Sequence, residues 1–175
     1  VDADSGLFAV DLRATEHLAQ QIVQVIGRAG RAERPGEALI QTHLPDHPLL
    51  RTLLNEGYDG FARDALIERR EAGMPPFASQ ALFRAEAVKR GAPEAFLEAA
   101  RAVLQTHAAT NVSIIGPIPA PMERRAGRYR HQLILHTDSR RELHETLTRS
   151  VPLIAELRES RSVRWSLDVD PMELY

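Results

Sequence analysis

Apolar residues change period near the middle of the chain, from helical spacing to alternation, and that change divides it. From Arg13 to about Ala32, positions Leu18, Ile22, Val25, Ile26 and Ala29 form one side of a helix that packs on a core. Pro35 and Gly36 stop it. Residues 1–10 read as a buried strand and its exit, and Ala38 to Thr42 as a short apolar strand. Two helical pieces follow. Pro48 opens the first near its amino end, where a missing N–H is harmless, and Leu49, Leu50, Leu53 and Leu54 make its apolar face. The second runs from about Asp59 to Glu71 and ends at Gly73 and the Pro75-Pro76 pair, where we place the domain boundary.

Beyond that boundary the order is β-α-β-β-α-β. Gln80 to Val88 reads as a strand, and Glu94 to His107 as a helix with Phe96, Leu97, Ala100, Val103 and Leu104 on one face. Val112 to Ile118 is a second strand, a basic loop follows, and Tyr129 to Thr137 is its partner. Ser139 and Glu142 form a capping-box pair at the start of the second helix, whose face is Leu143, Leu147, Ile154 and Leu157, with a kink expected at Pro152. Val163, Trp165, Leu167 and Val169 alternate with Arg164, Ser166, Asp168 and Asp170, a half-buried strand. That order predicts an α+β ferredoxin-like domain over 78–175. Residues 57–77 then read as a helical connector.

Composition narrows the classes. With 175 residues and 43% hydrophobic content, the chain can bury one good core, or one core plus a piece of another. It holds no cysteine, which excludes disulfides and thiolate metal sites. No apolar run approaches the 18 or so residues that a membrane helix needs. The net charge of −2 gives no global attraction for nucleic acid, so any such contact must come from a local patch.

The most informative cluster is Gln24, Gly27, Arg28, Gly30 and Arg31. On a helix, Gln24, Arg28 and Arg31 stand at i, i+4 and i+7, so their side chains share one stripe opposite the apolar face. Paired guanidinium groups on a rigid stripe suit a polyphosphate, which they bind bidentately at any working pH. Each glycine costs about 1 kcal/mol of helix propensity relative to alanine, which is offset if another surface must approach closely.

This pattern, Q-x-x-G-R-x-G-R, resembles the last motif of superfamily-2 helicases. A longer ordered set resembles the PriA family of primosomal replication-restart helicases: residues 1–8, Asp11 to Glu16, Gln41 to His43, His47 to Leu50, Gly57-Tyr58, Glu68 to Arg70, Pro75 to Phe77, Gly116-Pro117, Pro119 to Pro121, Arg128 to Arg130 and Asp168 to Pro171. The resemblance covers essentially the whole chain. It implies that residues 1–56 are the α/β end of a RecA-like second helicase lobe. It also implies an ATP-dependent 3′-to-5′ DNA helicase in which Arg31 and Arg28 meet the γ-phosphate of Mg²⁺-bound ATP and Gln24 helps to orient it. No G-x-x-x-x-G-K-S/T loop and no D-E-x-H box occurs, and Lys89 is the sole lysine. The chain is therefore expected to be a carboxy-terminal fragment that hydrolyses no ATP by itself. Zinc, in such proteins, is held by a cysteine-rich insertion expected upstream. A cytoplasmic place at the bacterial replication fork is implied, with primosome proteins as partners and no membrane.

Two further patches carry candidate chemistry. Arg124, Arg125, Arg128 and Arg130, with Tyr129 interleaved and Glu123 as the one acid, suit branched or single-stranded DNA, where arginine meets phosphate and a ring stacks on a base. An ordinary charged hairpin tip fits the same residues. Arg140 and Arg141 begin a helix, where a cation is unfavourable unless an acid compensates. In PriA-like proteins the acidic tail of the single-stranded-DNA-binding protein docks there, and this chain departs from the family in having His144 where a glutamine would assist. His43, Asp46 and His47, and Asp168, Asp170 and Glu173, are too sparse to argue a metal site, and none is assigned. The rival reading is a stand-alone ferredoxin-like module that binds RNA or a protein tail without catalysis.

Overall fold

The computed structural model describes residues 3–7, 13–29 and 37–172. Its contacts divide the chain into two units, residues 1–72 and 73–175, each with its own core.

The first unit is built of helices α1 (Asp4–Leu7), α2 (Ala14–Ala29) and α3 (Pro48–Glu71). Leu18, Ala19 and Ile22 of α2 are buried with Ala3, Leu50, Leu53 and Phe61. The expected two helical pieces appear as α3 with a break at Gly57, whose φ of 73° and ψ of −168° glycine adopts readily. Phe61, within the stretch expected as a connector, lies in this core.

Two expectations need correction here. Residues 4–7, expected within a strand, form a helical turn. Residues 38–42 form no strand either; Gln41 makes only an isolated bridge, accepting the N–H of Ala3 at 3.0 Å. A short apolar run becomes a strand only where a neighbouring strand completes its ladder, and Leu39 is 85% exposed. The apolar stripe of α2 is buried most deeply towards its amino-terminal end, as Leu18, Ala19 and Ile22 show, and Val25 and Ile26 stand 40% and 44% exposed. Leu18 and Ile22 lie in one cluster with Leu50, Leu53 and Phe61, which Val25 and Ile26 do not join.

The second unit follows the order expected from alternation: β1 (Ser79–Ala87), α4 (Ala92–His107), β2 (Ser113–Arg125), β3 (Arg128–Thr137), α5 (Arg140–Glu156), a 3-10 turn (Arg158–Ser162) and β4 (Arg164–Val169). The four strands form an antiparallel sheet in the order β2-β3-β1-β4. Successive side chains of a strand point to opposite faces, and the core shows which face the helices cover. Ala81, Phe83 and Ala85 of β1, with Leu133 and Leu135 of β3, are buried against Phe96, Leu97, Leu104, Leu143 and Ile154 of α4 and α5. Trp165 joins them, its ring 5.7 Å from Phe96 and 6.3 Å from Phe83.

Local differences remain. The basic loop expected after residue 118 is instead a continuation of β2 to Arg125, closed to β3 by Ala126 and Gly127 alone. Both have positive φ, 48° and 77°, the two-residue turn that suits the twist of a hairpin. The α5 helix stays continuous through Pro152 and ends one turn later, at Glu156, so the lost N–H falls in its last turns. Its capping box is half made. Ser139 Oγ accepts the Glu142 N–H at 3.4 Å, but the Ser139 N–H donates to Thr137 Oγ1 at 3.1 Å rather than to Glu142.

Candidate nucleic-acid interface

The β2-β3 hairpin positions the basic cluster. Arg125 pairs with Arg128 and Arg124 with Tyr129 in register, so the pleat sends Arg124 and Tyr129 to one face and Arg125 and Arg128 to the other. Arg124 lies 5.4 Å and Arg90 5.9 Å from the centre of the Tyr129 ring. A base stacking on Tyr129 therefore meets a ring already flanked by two guanidinium groups. Arg128 Nε sits 3.7 Å from Glu86 Oε1 of β1, which offsets part of its charge.

Further residues, of which the sequence pointed only to Arg130, stand on the sheet face turned away from the helices. Arg84 of β1 pairs in register with Gln132 of β3 and Ser166 of β4, and Glu86 with Arg130 and Arg164. These six line one shallow depression. Arg84 Nη1 donates to Asp168 Oδ2 at 3.0 Å. In sequence, Arg84, Glu86, Arg164 and Ser166 look like the solvent side of two separate strands. Only the pairing of β1 with both β3 and β4 brings them together, and their shared phase against the apolar positions was the available signal.

Arg140 begins α5, and its Nη2 lies 3.3 Å from Asp170 Oδ2 at the end of β4. The compensating acid that a cation at a helix start calls for is thus present within the chain. Asp170 holds a φ of 54°, a left-handed conformation that Asp and Asn tolerate better than most side chains. His144, one turn further on, is exposed. The structure brings Arg140 together with Asp170, and leaves the hairpin arginines on their own ribbon.

In the first unit, Gln24 and Arg28 are both exposed and stand at i and i+4 on α2. Gly30, Arg31 and Glu173 lie outside the described residues. Asp4 ties α1 to the segment that follows Gln41: Thr42 Oγ1 donates to its Oδ1 at 2.6 Å and the His43 N–H to its Oδ2 at 3.0 Å. The Thr42 hydroxyl first, then the His43 amide, hold the Asp4 carboxyl below its ordinary range. His43 and Asp46 thus have structural partners, Asp4 at 3.9 Å and Arg51 at 3.9 Å. Among the described residues, no three His, Asp or Glu side chains converge in a way that would hold a metal ion, and no helix is long and apolar enough to cross a membrane.

The family model of the primosomal protein N C-terminal domain matches residues 70–172, which spans the whole sheet and both helices packed on it. The chain belongs to the PriA family. Replication restart protein PriA of Haemophilus influenzae is 46% identical over 174 residues, covering 99% of this chain and 24% of its own length. The PriA of Synechocystis is 34% identical over 174 residues, covering 99% of this chain and 20% of its own length. That of Bacillus subtilis is 31% identical over 173 residues, covering 98% and 21%. The chain thus spans a quarter or less of these PriA relatives. A de novo designed protein, Foldit4, aligns with 54% of this chain and 97% of its own at a TM-score of 0.41 and 7% identity, too distant to bear on the fold.

Proposed function

We propose that this PriA-family chain forms the fork-binding and partner-binding end of an ATP-dependent 3′-to-5′ DNA helicase, one that restarts replication at stalled or branched forks by primosome assembly. The hairpin is the observation that carries the reading. Arg124, Arg125, Arg128 and Arg130 lie on one two-stranded ribbon, in a chain whose net charge is −2. A local basic ribbon on a chain without overall positive charge is the footprint of a contact made by position rather than by bulk attraction.

On this reading the second unit is a ferredoxin-like sandwich, in keeping with its β-α-β-β-α-β order and with β1 at the sheet's interior beside β4. The first unit is the end of a RecA-like second lobe. Exposed Gln24 and Arg28 fit an anionic phosphate, and Arg31 follows Arg28 by three residues in the sequence. Mg²⁺-bound ATP supplies the phosphoanhydride to be cleaved. The side chains of this chain bind its γ-phosphate oxygens, orient them and offset their charge, as an arginine finger does. Zinc falls to cysteines elsewhere in such proteins, because this chain has none. Arg140, with His144 a turn later, holds the acidic tail of the single-stranded-DNA-binding protein in exchange for Asp170.

The test is a titration of the whole chain with labelled single-stranded and forked DNA over a range of salt. Four phosphate contacts at roughly 0.7 each give a slope of log K against log salt of about −3 for a single strand. Replacing Arg128 and Arg130 with alanine should flatten it to about −1.4. Absence of binding at the lowest salt, or binding indifferent to salt, would remove the interface.

A further inference from the structure

We propose that the helix-free face of the sheet is a binding site for the phosphodiester backbone of a nucleic-acid strand, clamped by Arg130 and Arg164 with Gln132 and Ser166 as neutral donors. This rests on the nucleic-acid reading of the second unit, and it moves the principal contact from the hairpin tip onto the sheet.

The ion pairs single out these two arginines. The central rows of this face carry Arg84, Arg128, Arg130 and Arg164 against Glu86 and Asp168, four positive charges less two negative, in a chain of net charge −2. Both carboxylates are already engaged. Asp168 accepts from Arg84 at 3.0 Å, and Glu86 faces Arg128 at 3.7 Å. Arg130 and Arg164 have no ion-pair partner among the described residues, although each stands directly across from Glu86 in register. They flank β1 on its two neighbouring strands, so their backbones lie two strand spacings apart, about 10 Å. Arginine side chains that start so far apart can converge on one anion held between them. The depression they line is about 230 Å³. Gln132 and Ser166, also in its wall, offer donors that need no charge compensation.

The occupant we assign is a phosphodiester strand rather than an acidic peptide, because of the way the arginines repeat along the hairpin. Arg130, Arg128 and Arg125 succeed one another towards the tip of the hairpin, with Arg125 and Arg128 in direct register, so the anionic partner must carry charge repeatedly along a line. Guanidinium forks match phosphate oxygens bidentately, and a lysine in their place keeps charge but loses the fork.

The experiment is fluorescence anisotropy of a labelled oligothymidylate with the whole 175-residue chain, comparing wild type, Arg164→Ala, Arg164→Lys and the tip variant Arg125→Ala. An unlabelled polyglutamate peptide serves as competitor. Arg164 is exposed, and the neighbouring Trp165 reports by its fluorescence that the fold is intact. Arg164→Ala should weaken binding about tenfold and reduce the salt slope by about 0.7. Arg164→Lys should keep the slope and lose only part of the affinity. Wild-type affinity and slope in Arg164→Ala, with loss in Arg125→Ala, would overturn the sheet-face site and leave the hairpin interface standing. Failure of the wild type to bind at low salt would remove both. Displacement of the oligonucleotide by polyglutamate at equal charge concentration would assign the face to an acidic protein segment and overturn the proposal.

Discussion

Two aspartates show how much a single partner decides. The Asp4 carboxyl is held below its ordinary value of 3.8, chiefly by the Thr42 hydroxyl and then by the His43 amide. A depressed carboxyl contributes stability that is fully present above its unfolded value and is lost as pH falls through the folded one. The tie between α1 and residues 42–43 should therefore hold at neutral pH and weaken only on acidification below about 3.8. Amide exchange of His43 should rise there, and Asp4→Asn should abolish that rise; equal pH profiles for the two proteins would show that the contact contributes nothing. Asp170 acts in the opposite sense, occupying the cation that a partner's acid would need. An exposed pair of this kind is worth about 0.2–1 kcal/mol. Asp170→Asn, which keeps a residue tolerant of positive φ, should thus raise the affinity of an acidic tail peptide by about 1.4- to fivefold. Arg140→Glu should abolish it. An unchanged affinity in Asp170→Asn would mean that the peptide does not use Arg140.

At the scale of the element, the hairpin is informative because its tip is not optimal. Ala126 holds a φ of 48° beside Gly127, where the favoured two-residue turns carry Asn or Gly first. An alanine in the left-handed region costs about 1–2 kcal/mol, so Ala126→Asn should stabilise the second unit by about 1 kcal/mol. A urea denaturation series would read it, and a destabilised Ala126→Asn would contradict the turn assignment. The same substitution should leave oligonucleotide affinity unchanged, since the arginines keep their register. The β2 strand also shows why it is an edge: Pro117, Pro119 and Pro121 have no N–H to offer a further strand.

Among the described residues, the two units have cores that share no residue. The single tryptophan, Trp165, packs in the second. Unfolding should accordingly be biphasic by far-ultraviolet circular dichroism, which sees the helices of both units, and single-step by Trp165 fluorescence. Leu53→Ala, a buried truncation costing about 2–5 kcal/mol, should shift only the transition that fluorescence does not see. Coincident transitions by both probes, moved together by that variant, would show that the units unfold as one.

The chain's own pattern determined β1, α4, β3, α5 and β4, because each turns one apolar face to the core; the outer half of β2, which is mostly exposed, left no such record. Alternation in β1, β3 and β4 and the helical spacing of Phe96, Leu97, Ala100 and Leu104 record that burial residue by residue. The motif residues Gln24 and Arg28 were legible for the same local reason, their shared stripe on one helix. Tertiary structure decided what depends on residues distant in sequence. Val25 and Ile26 share the apolar stripe of α2, yet stand 40% and 44% exposed; residues 38–42 look like a strand, yet no ladder completes them. Arg130 and Arg164 look like the solvent side of two strands, and only strand order sets them on either side of Glu86. Arg140 looks like a cation awaiting an acid, and the end of β4 supplies one. Period reports which face of an element turns inward, a local property; which side chains then meet across strands is fixed by pairing and register, which no local period encodes.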